Sequence, residues 1–319
     1  MGEGNVRPNC VFIAGFGRSG STLLDVLLGQ LPGFVSAGEL QAVWERGVLG
    51  DHLCGCGTEF SECEFWVAVG KEAFGGWDRG QARHMVELQK NLLRYRRFPA
   101  LLAGGGVRPD AGRGVARIAA AFGAVHRAIR DVSGADVVVD SSKTVTFALV
   151  QPRIPGVAAR GIHLVRDSRG VAYSWTKRLR RPDARDPEAY FKVRDPLVVA
   201  AQWAAVNSLC RLLPAAGLPT GTMRYEALVS DPAGTLAAAL AALGFDRDRL
   251  RMDFLHDGTA HLGPSHTVSG NPVRMSTGAL ALRSDDAWRT MLPTRTKVQV
   301  SLITLPWLAR YGYITGHPG

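Results

Sequence analysis

With 319 residues, 46% hydrophobic and 21% charged, the chain is long enough to bury the core of one large α/β domain and is neither disordered nor fibrous in composition. No apolar run approaches bilayer-spanning length, and residues 1–9 lack the apolar core of a secretory leader, so a cytoplasmic protein without a membrane span is expected. A formal net charge of +10 calls for an anionic ligand. The Arg residues are scattered, with no basic tail and no nucleic-acid module, which favours a small polyanion over nucleic acid.

The first apolar run, Cys10–Ala14, reads as a strand. It leads into Gly15-Phe16-Gly17-Arg18-Ser19-Gly20-Ser21-Thr22 and then into Leu23–Leu28, which repeats at helical spacing. Strand, Gly-rich turn and helix form the setting in which backbone N–H groups at a helix start cradle a phosphate. The spacing is that of a P-loop, but Ser21 stands where an NTPase has the Lys that reaches the β- and γ-phosphates. Triphosphate chemistry is therefore disfavoured. Arg18, Ser19, Gly20, Ser21 and Thr22 still suit a single anionic group.

Pro32-Gly33 ends the helix, Phe34–Ala37 reads as a short strand or extended loop, and a helix is expected from Leu40 to Val48. Glu39 falls at that loop-to-helix junction. Cys54, Cys56 and Cys63 lie in an irregular stretch that reads as a reduced or disulfide-linked loop or, with His52 as the nearby fourth ligand, as a zinc knuckle. The other two cysteines are Cys10 and Cys210. A helix is expected over Gln81–Leu102, broken by Gly104–Gly106, and the stripe Val115, Ile118, Phe122, Val125, Ile129 marks another, with His126 just off it.

Two short apolar runs, Val137–Val139 and Ile162–Val165, read as buried parallel strands, the second containing a silent His163. They deliver Asp140-Ser141-Ser142-Lys143 and Arg166-Asp167-Ser168 to the carboxyl edge of the sheet, where ligands of open α/β folds bind. Further on come a charged segment over 178–196, helices over Leu197–Leu213 and Leu236–Leu243, and a strand over Gly221–Tyr225. A polar loop, Pro264–Arg274, follows, and a final helix over Thr294–Tyr311 is kinked at Pro306. The whole reads as a three-layer, P-loop-like α/β fold with a central parallel sheet flanked by helices. It forms a single domain, 1–319, with substrate-shaping insertions around 51–114 and 178–196.

These residues resemble the PAPS-dependent sulfotransferases (PAPS is 3′-phosphoadenosine-5′-phosphosulfate), in a tyrosylprotein- or carbohydrate-type arrangement of bacterial kind. Arg18-Ser19-Gly20-Ser21-Thr22 is similar to the family's 5′-phosphosulfate loop, and Arg166 followed eight residues later by Ser174 is similar to its 3′-phosphate site. Tyr225-Glu226-Ala227-Leu228 resembles a further family stretch. The resemblance implies an enzyme moving a sulfuryl group from PAPS to a hydroxyl and releasing PAP (3′-phosphoadenosine-5′-phosphate), with no metal required. It implies Glu39 as the base, because the His used by cytosolic members after the central strand is missing at Asp140–Lys143. Glu45 and His52 stand in reserve. Lys143 would stabilise the bridging oxygen, with Ser141 beside it, and Arg178, Tyr225, Ser269, Asn271 and Arg274 would complete the nucleotide site. The acceptor stays open among a metabolite, a glycan, a lipid headgroup and a tyrosine, a small metabolite being favoured. The competing readings are a P-loop kinase using Asp140 for Mg²⁺ and a non-catalytic nucleic-acid-binding protein.

Overall fold

The computed structural model describes residues 8–103, 109–181, 183–184, 188–247 and 250–314. Residues 1–7, the Gly104–Gly106 break and residues 182 and 185–187 of the charged segment lie outside the described residues. Five parallel strands form the central sheet: β1 (Cys10–Gly15), β2 (Phe34–Ser36), β3 (Val137–Lys143), β4 (Ala159–Val165) and β5 (Thr220–Arg224), in the order β2-β3-β1-β4-β5. Side chains alternate across β1. Cys10, Phe12 and Ala14 enter the core on one face, whereas Val11 and Ile13 enter the core on the other. This two-sided burial explains why the strands read as continuous apolar runs. β1 pairs with β3 on one side and β4 on the other, so the chain reverses its order of strand addition at β1. A crevice opens at such a switch point, beyond the carboxyl ends.

Helices Ser21–Leu28, Pro109–Ser133, Ser168–Thr176, Pro196–Cys210, Pro232–Ala242 and Thr294–Arg310 cover the sheet, the last with Pro306 inside it. Among the described residues no helix is long and apolar enough to cross a membrane. Several expectations change. The Leu40–Val48 region is a 3₁₀ turn, Leu40–Ala42, running into a π-helical stretch, Val43–Leu49. The Gln81–Leu102 helix ends at Leu92 and resumes as a 3₁₀ turn and the short helix Phe98–Leu102, where Pro99 starts a new segment. A second, antiparallel sheet follows β5: β6 (Leu255–His256), β7 (Thr259–Leu262) and β8 (Gly278–Ala281). Strands this short carry too little alternation to be read from sequence. His126 and His163 are buried, and burial pushes each down to about 4; His163 bonds to Asn207 at 2.7 Å. Both are structural.

Two carboxyls sit in the core beneath the crevice. Asp25 is fully buried; Ser36 Oγ donates to its Oδ2 at 2.6 Å, and its Oδ1 has no partner. Burial pushes it up to about 8, and pushes Asp140 up to about 7. An unfolded Asp titrates near ~4. Between about pH 4 and about 8 the folded chain therefore keeps a proton that the unfolded chain has lost, and stability falls as pH rises through that window. The urea midpoint should drop from about pH 5 to about pH 9 and drop less steeply in Asp25→Asn. An equally steep drop in the variant would refute a protonated Asp25.

Candidate active site

The carboxyl ends of β1, β3 and β4 open onto one cavity of about 560 Å³. On the β1 side, Gly20 is the N-cap of helix Ser21–Leu28 and has φ +94°. No side chain caps that helix, so its first N–H groups face the cavity with the partial positive charge of a helix start. Gly20 is needed twice over: its φ is left-handed, and an added Cβ would lie 2.4 Å from the Tyr225 ring. Ser19 is buried with its Oγ unpartnered. Arg18, Gly20, Ser21 and Thr22 all line the cavity.

On the β4 side, Arg166 donates from one guanidinium nitrogen to the Arg18 carbonyl at 3.2 Å and lies over the Tyr225 ring at 4.5 Å. Ser174, two turns along the next helix, lines the same cavity, as does Tyr225. The Glu226 carboxylate accepts from the Asp167 N–H at 3.0 Å and from the Tyr313 hydroxyl at 2.7 Å, tying the end of β5 to the end of β4.

The β3 side brings in the charged pair. Lys143 has φ +63° at the strand end, next to a register shift between β1 and β3. Its Nζ donates to Glu39 Oε1 at 2.5 Å and to the Ser141 carbonyl at 3.2 Å. Ser269 Oγ donates to Glu39 Oε2 at 3.3 Å. Burial pushes the Glu39 carboxyl up, but the Lys143 ammonium and the hydrogen bonds it and Ser269 donate hold it below its ordinary value. The backbone is held as firmly. The Glu39 N–H donates to Val268 O at 2.7 Å, Val268 N–H donates to Ala37 O at 3.0 Å, and Gly38 (φ +74°) lets the two segments touch. Three of the five described non-glycine residues with positive φ are Arg18, Lys143 and Ser269. Such backbones cost about 1–3 kcal/mol each and gather at functional sites.

Not every expected residue meets the cavity. Asn271 does; its N–H donates to Thr22 Oγ1 at 3.2 Å. Ser141 is buried, its N–H bonded to Gly38 O. Arg178 is exposed and lies over Tyr190 at 4.1 Å, outside the cavity. Arg274 is 1% exposed, donates to Thr267 O and Leu53 O and faces Asp183, so it braces two loops and does not reach the cavity. Sequence reading missed Arg46, Trp175, Lys177, Phe191, Arg283 and Asp285, all of which line it. Lys177 and Arg283 carried no motif. Trp175, adjoining Ser174 and donating to Gly17 O at 3.2 Å, was the findable one.

Six basic side chains and two acidic ones line the cavity, so it is built for a polyanion. Its apolar walls, Trp175, Leu179, Phe191, Leu280 and Leu282, suit a ring system. A second cavity, of about 330 Å³, shares Glu39 and Arg46 with the first and is otherwise lined by Gln41, Glu45, Gln89, Lys90, Arg94, Ser142 and their neighbours.

No family model matches the chain, and no curated protein matches it. Among solved structures, the sulfotransferase domain from the curacin biosynthetic pathway aligns over 94% of this chain and 97% of its own, at 19% identity and a TM-score of 0.49. The sulfotransferase domain of the Synechococcus PCC 7002 olefin synthase aligns over 94% of each, at 19% identity and a TM-score of 0.47.

Asp285 is the one discordant group. It pairs with Arg166 at 3.2 Å and Lys177 at 3.3 Å, the cations an anion would seek. Arg166 is held independently by the Arg18 carbonyl and Tyr225. If the cavity takes a phosphorylated nucleotide such as PAP, Asp285→Asn should tighten its binding by roughly three- to tenfold, the scale of removing one like charge from a partly exposed site. Calorimetry on both proteins reads this directly, and weaker binding by the variant would mean that Asp285 serves to position Arg166.

Proposed function

We propose that the chain is a sulfotransferase that moves a sulfuryl group from PAPS to an acceptor hydroxyl. The observation that carries the reading is the position of Glu39. It stands in the wall shared by a basic cavity with two phosphate-type sites and a smaller polar cavity. The phosphate loop would hold the 5′-phosphosulfate, and Arg166 with Ser174 the 3′-phosphate; the unpartnered Ser19 hydroxyl and the uncapped helix start fit such a ligand. The acceptor enters through the smaller cavity, whose Gln41, Gln89, Arg46 and Arg94 suit a polar, hydroxyl-bearing metabolite.

The chemistry is one in-line displacement. Glu39 takes the acceptor hydroxyl proton as the oxygen bonds to sulfur, and the bond from sulfur to the bridging phosphate oxygen breaks, leaving PAP. Lys143 balances the charge that develops on that oxygen. Positioning and charge stabilisation carry such transfers, as they do phosphoryl transfer. Lys143 also governs the base. Paired to it, Glu39 is a weak base; when the ammonium turns to the leaving oxygen, a still-buried carboxylate is left unpaired and its affinity for a proton rises.

The kinase reading loses its Mg²⁺ ligand. Asp140 is fully buried, accepts from Ser142 N–H at 2.9 Å and from Gln151, and does not line the cavity.

With radiolabelled PAPS and a panel of small hydroxyl compounds, Glu39→Gln should lose about 10²- to 10⁴-fold in kcat and keep its affinity for PAP. Full turnover by the variant would remove Glu39 from the mechanism. In Lys143→Met the acid limb of kcat/KM against pH should move to higher pH, because burial of Glu39 is then opposed only by Arg46 and the Ser269 hydrogen bond and no longer by the ammonium. An unmoved limb would assign that limb to another group.

A further inference from the structure

Three cysteines and a histidine converge away from the cavity. Cys54 and Cys56 flank a tight turn, and Cys63 precedes helix Glu64–Phe74. The fourth group comes from far along the chain and is His266, not His52. His52 is engaged elsewhere, its Nδ1 3.6 Å from Asp183 and 3.4 Å from Arg181. The three sulfurs and one ring nitrogen lie within 4.8 Å of one another. Cys63 Sγ is 3.6 Å from Cys54 Sγ and 3.7 Å from Cys56 Sγ. His266 Nδ1 is 3.3 Å from Cys63 Sγ and 3.8 Å from Cys54 Sγ.

These four separations match edges of a tetrahedron around a metal. Zinc–sulfur bonds of about 2.3 Å and zinc–nitrogen bonds of about 2.0 Å place sulfurs about 3.8 Å apart and sulfur about 3.5 Å from nitrogen. A disulfide needs sulfurs about 2.05 Å apart and would leave the third cysteine and the histidine without a purpose. The surroundings also match. The Phe65 ring stacks on His266 at 4.9 Å, fixing the imidazole plane. Thr58 Oγ1 lies 3.1 Å from Cys56 Sγ, and the Cys54 N–H donates to Thr58 O at 2.8 Å, closing the turn. Four protein ligands, with Cys54 and Cys63 buried, make a closed site without an open position, the structural kind.

We propose that Cys54, Cys56, Cys63 and His266 bind one structural zinc ion, which fastens the 264–274 loop to the loop of residues 51–63. The loop so fastened is the one that holds the catalytic carboxylate. Immediately after His266, Thr267 O accepts from Gly55 N–H at 3.0 Å, Val268 pairs with the Glu39 backbone, and Ser269 donates to the Glu39 side chain. Arg274 reinforces the same joint through Thr267 O and Leu53 O. The metal therefore acts on chemistry only through the placement of Glu39. The zinc site stands on its own geometry; its bearing on catalysis rests on the function proposed above.

The test is elemental analysis of the full chain produced in zinc-supplemented medium, with cobalt substitution as an independent reading. About one zinc ion per chain is expected, and the cobalt form should show the thiolate charge-transfer and visible bands of a tetrahedral sulfur-rich site. His266→Ala should lose most of the metal, and His266→Cys, which restores a fourth soft ligand, should retain it. A strong chelator should lower the thermal midpoint of the native chain by ~5 °C or more, on the scale of a structural contact network in a domain this large. Metal-free protein after zinc loading with no cobalt bands, a disulfide among these cysteines by mass, or iron in place of zinc would overturn the assignment. Metal content reads the site whether or not the protein transfers sulfuryl groups.

Discussion

The contact between Glu39 and Lys143 is the constraint on which the site depends. Each side chain is less than a quarter exposed, and their charged atoms are 2.5 Å apart. Removing one member of a half-buried pair strands the other charge, and stranding is costlier than the pair itself is stabilising. The backbone was therefore shaped to make the contact: Lys143 in a left-handed conformation where β3 ends, Gly38 in another, and Ser269 in a third. Three distant segments of chain, residues 36–39, 141–143 and 267–269, meet there. A pair that costly to assemble, placed in the wall between two cavities, is poorly explained as a stability device.

The same electrostatic logic runs through the larger cavity. Its basic groups come from separate elements, Arg18 from the phosphate loop, Lys143 from β3, Arg166 from β4 and Arg283 beyond β8. Without a ligand they repel one another. The structure manages this by stacking several on rings: Arg18 over Phe191 at 4.5 Å, Arg166 over Tyr225 at 4.5 Å, and Lys177 over Tyr173 at 4.6 Å. Burial lowers the proton affinity of Arg18, a sign that the guanidinium is poorly hydrated and suited to an anion that can replace water. Asp285 fills part of that role for Arg166 and Lys177.

Much of this was legible because it is local. The strand, Gly-rich turn and helix around Gly20 are a contiguous pattern, and the polar residues at the ends of β3 and β4 follow apolar runs that could only be buried strands. Glu39 was found through resemblance, since a lone Glu at a junction carries no periodic signal. What escaped the sequence is what depends on distant pairing. His266 lies more than 200 residues from Cys54, so nothing in the spacing of the cysteines points to it. Arg274 looked like a ligand residue because it sits in a polar loop, but it is spent bridging that loop to Leu53. Asp285 and Arg283 belong to a segment whose place against the cavity is set by the small second sheet, itself invisible in the pattern.

The central claim is that the cavity holds two separate phosphate groups of one nucleotide, and ligand selectivity tests it most directly. Calorimetric titration of the full chain with PAP, AMP and ATP–Mg²⁺ at matched salt isolates the 3′-phosphate, which PAP has and AMP lacks. If Arg166 and Ser174 receive that group, PAP should bind about ten- to a hundredfold more tightly than AMP, the value of one or two charge-assisted hydrogen bonds, and ATP–Mg²⁺ should gain nothing over AMP. Equal affinities for PAP and AMP, or tighter binding of ATP–Mg²⁺, would contradict the two-phosphate site and the sulfuryl-transfer function with it.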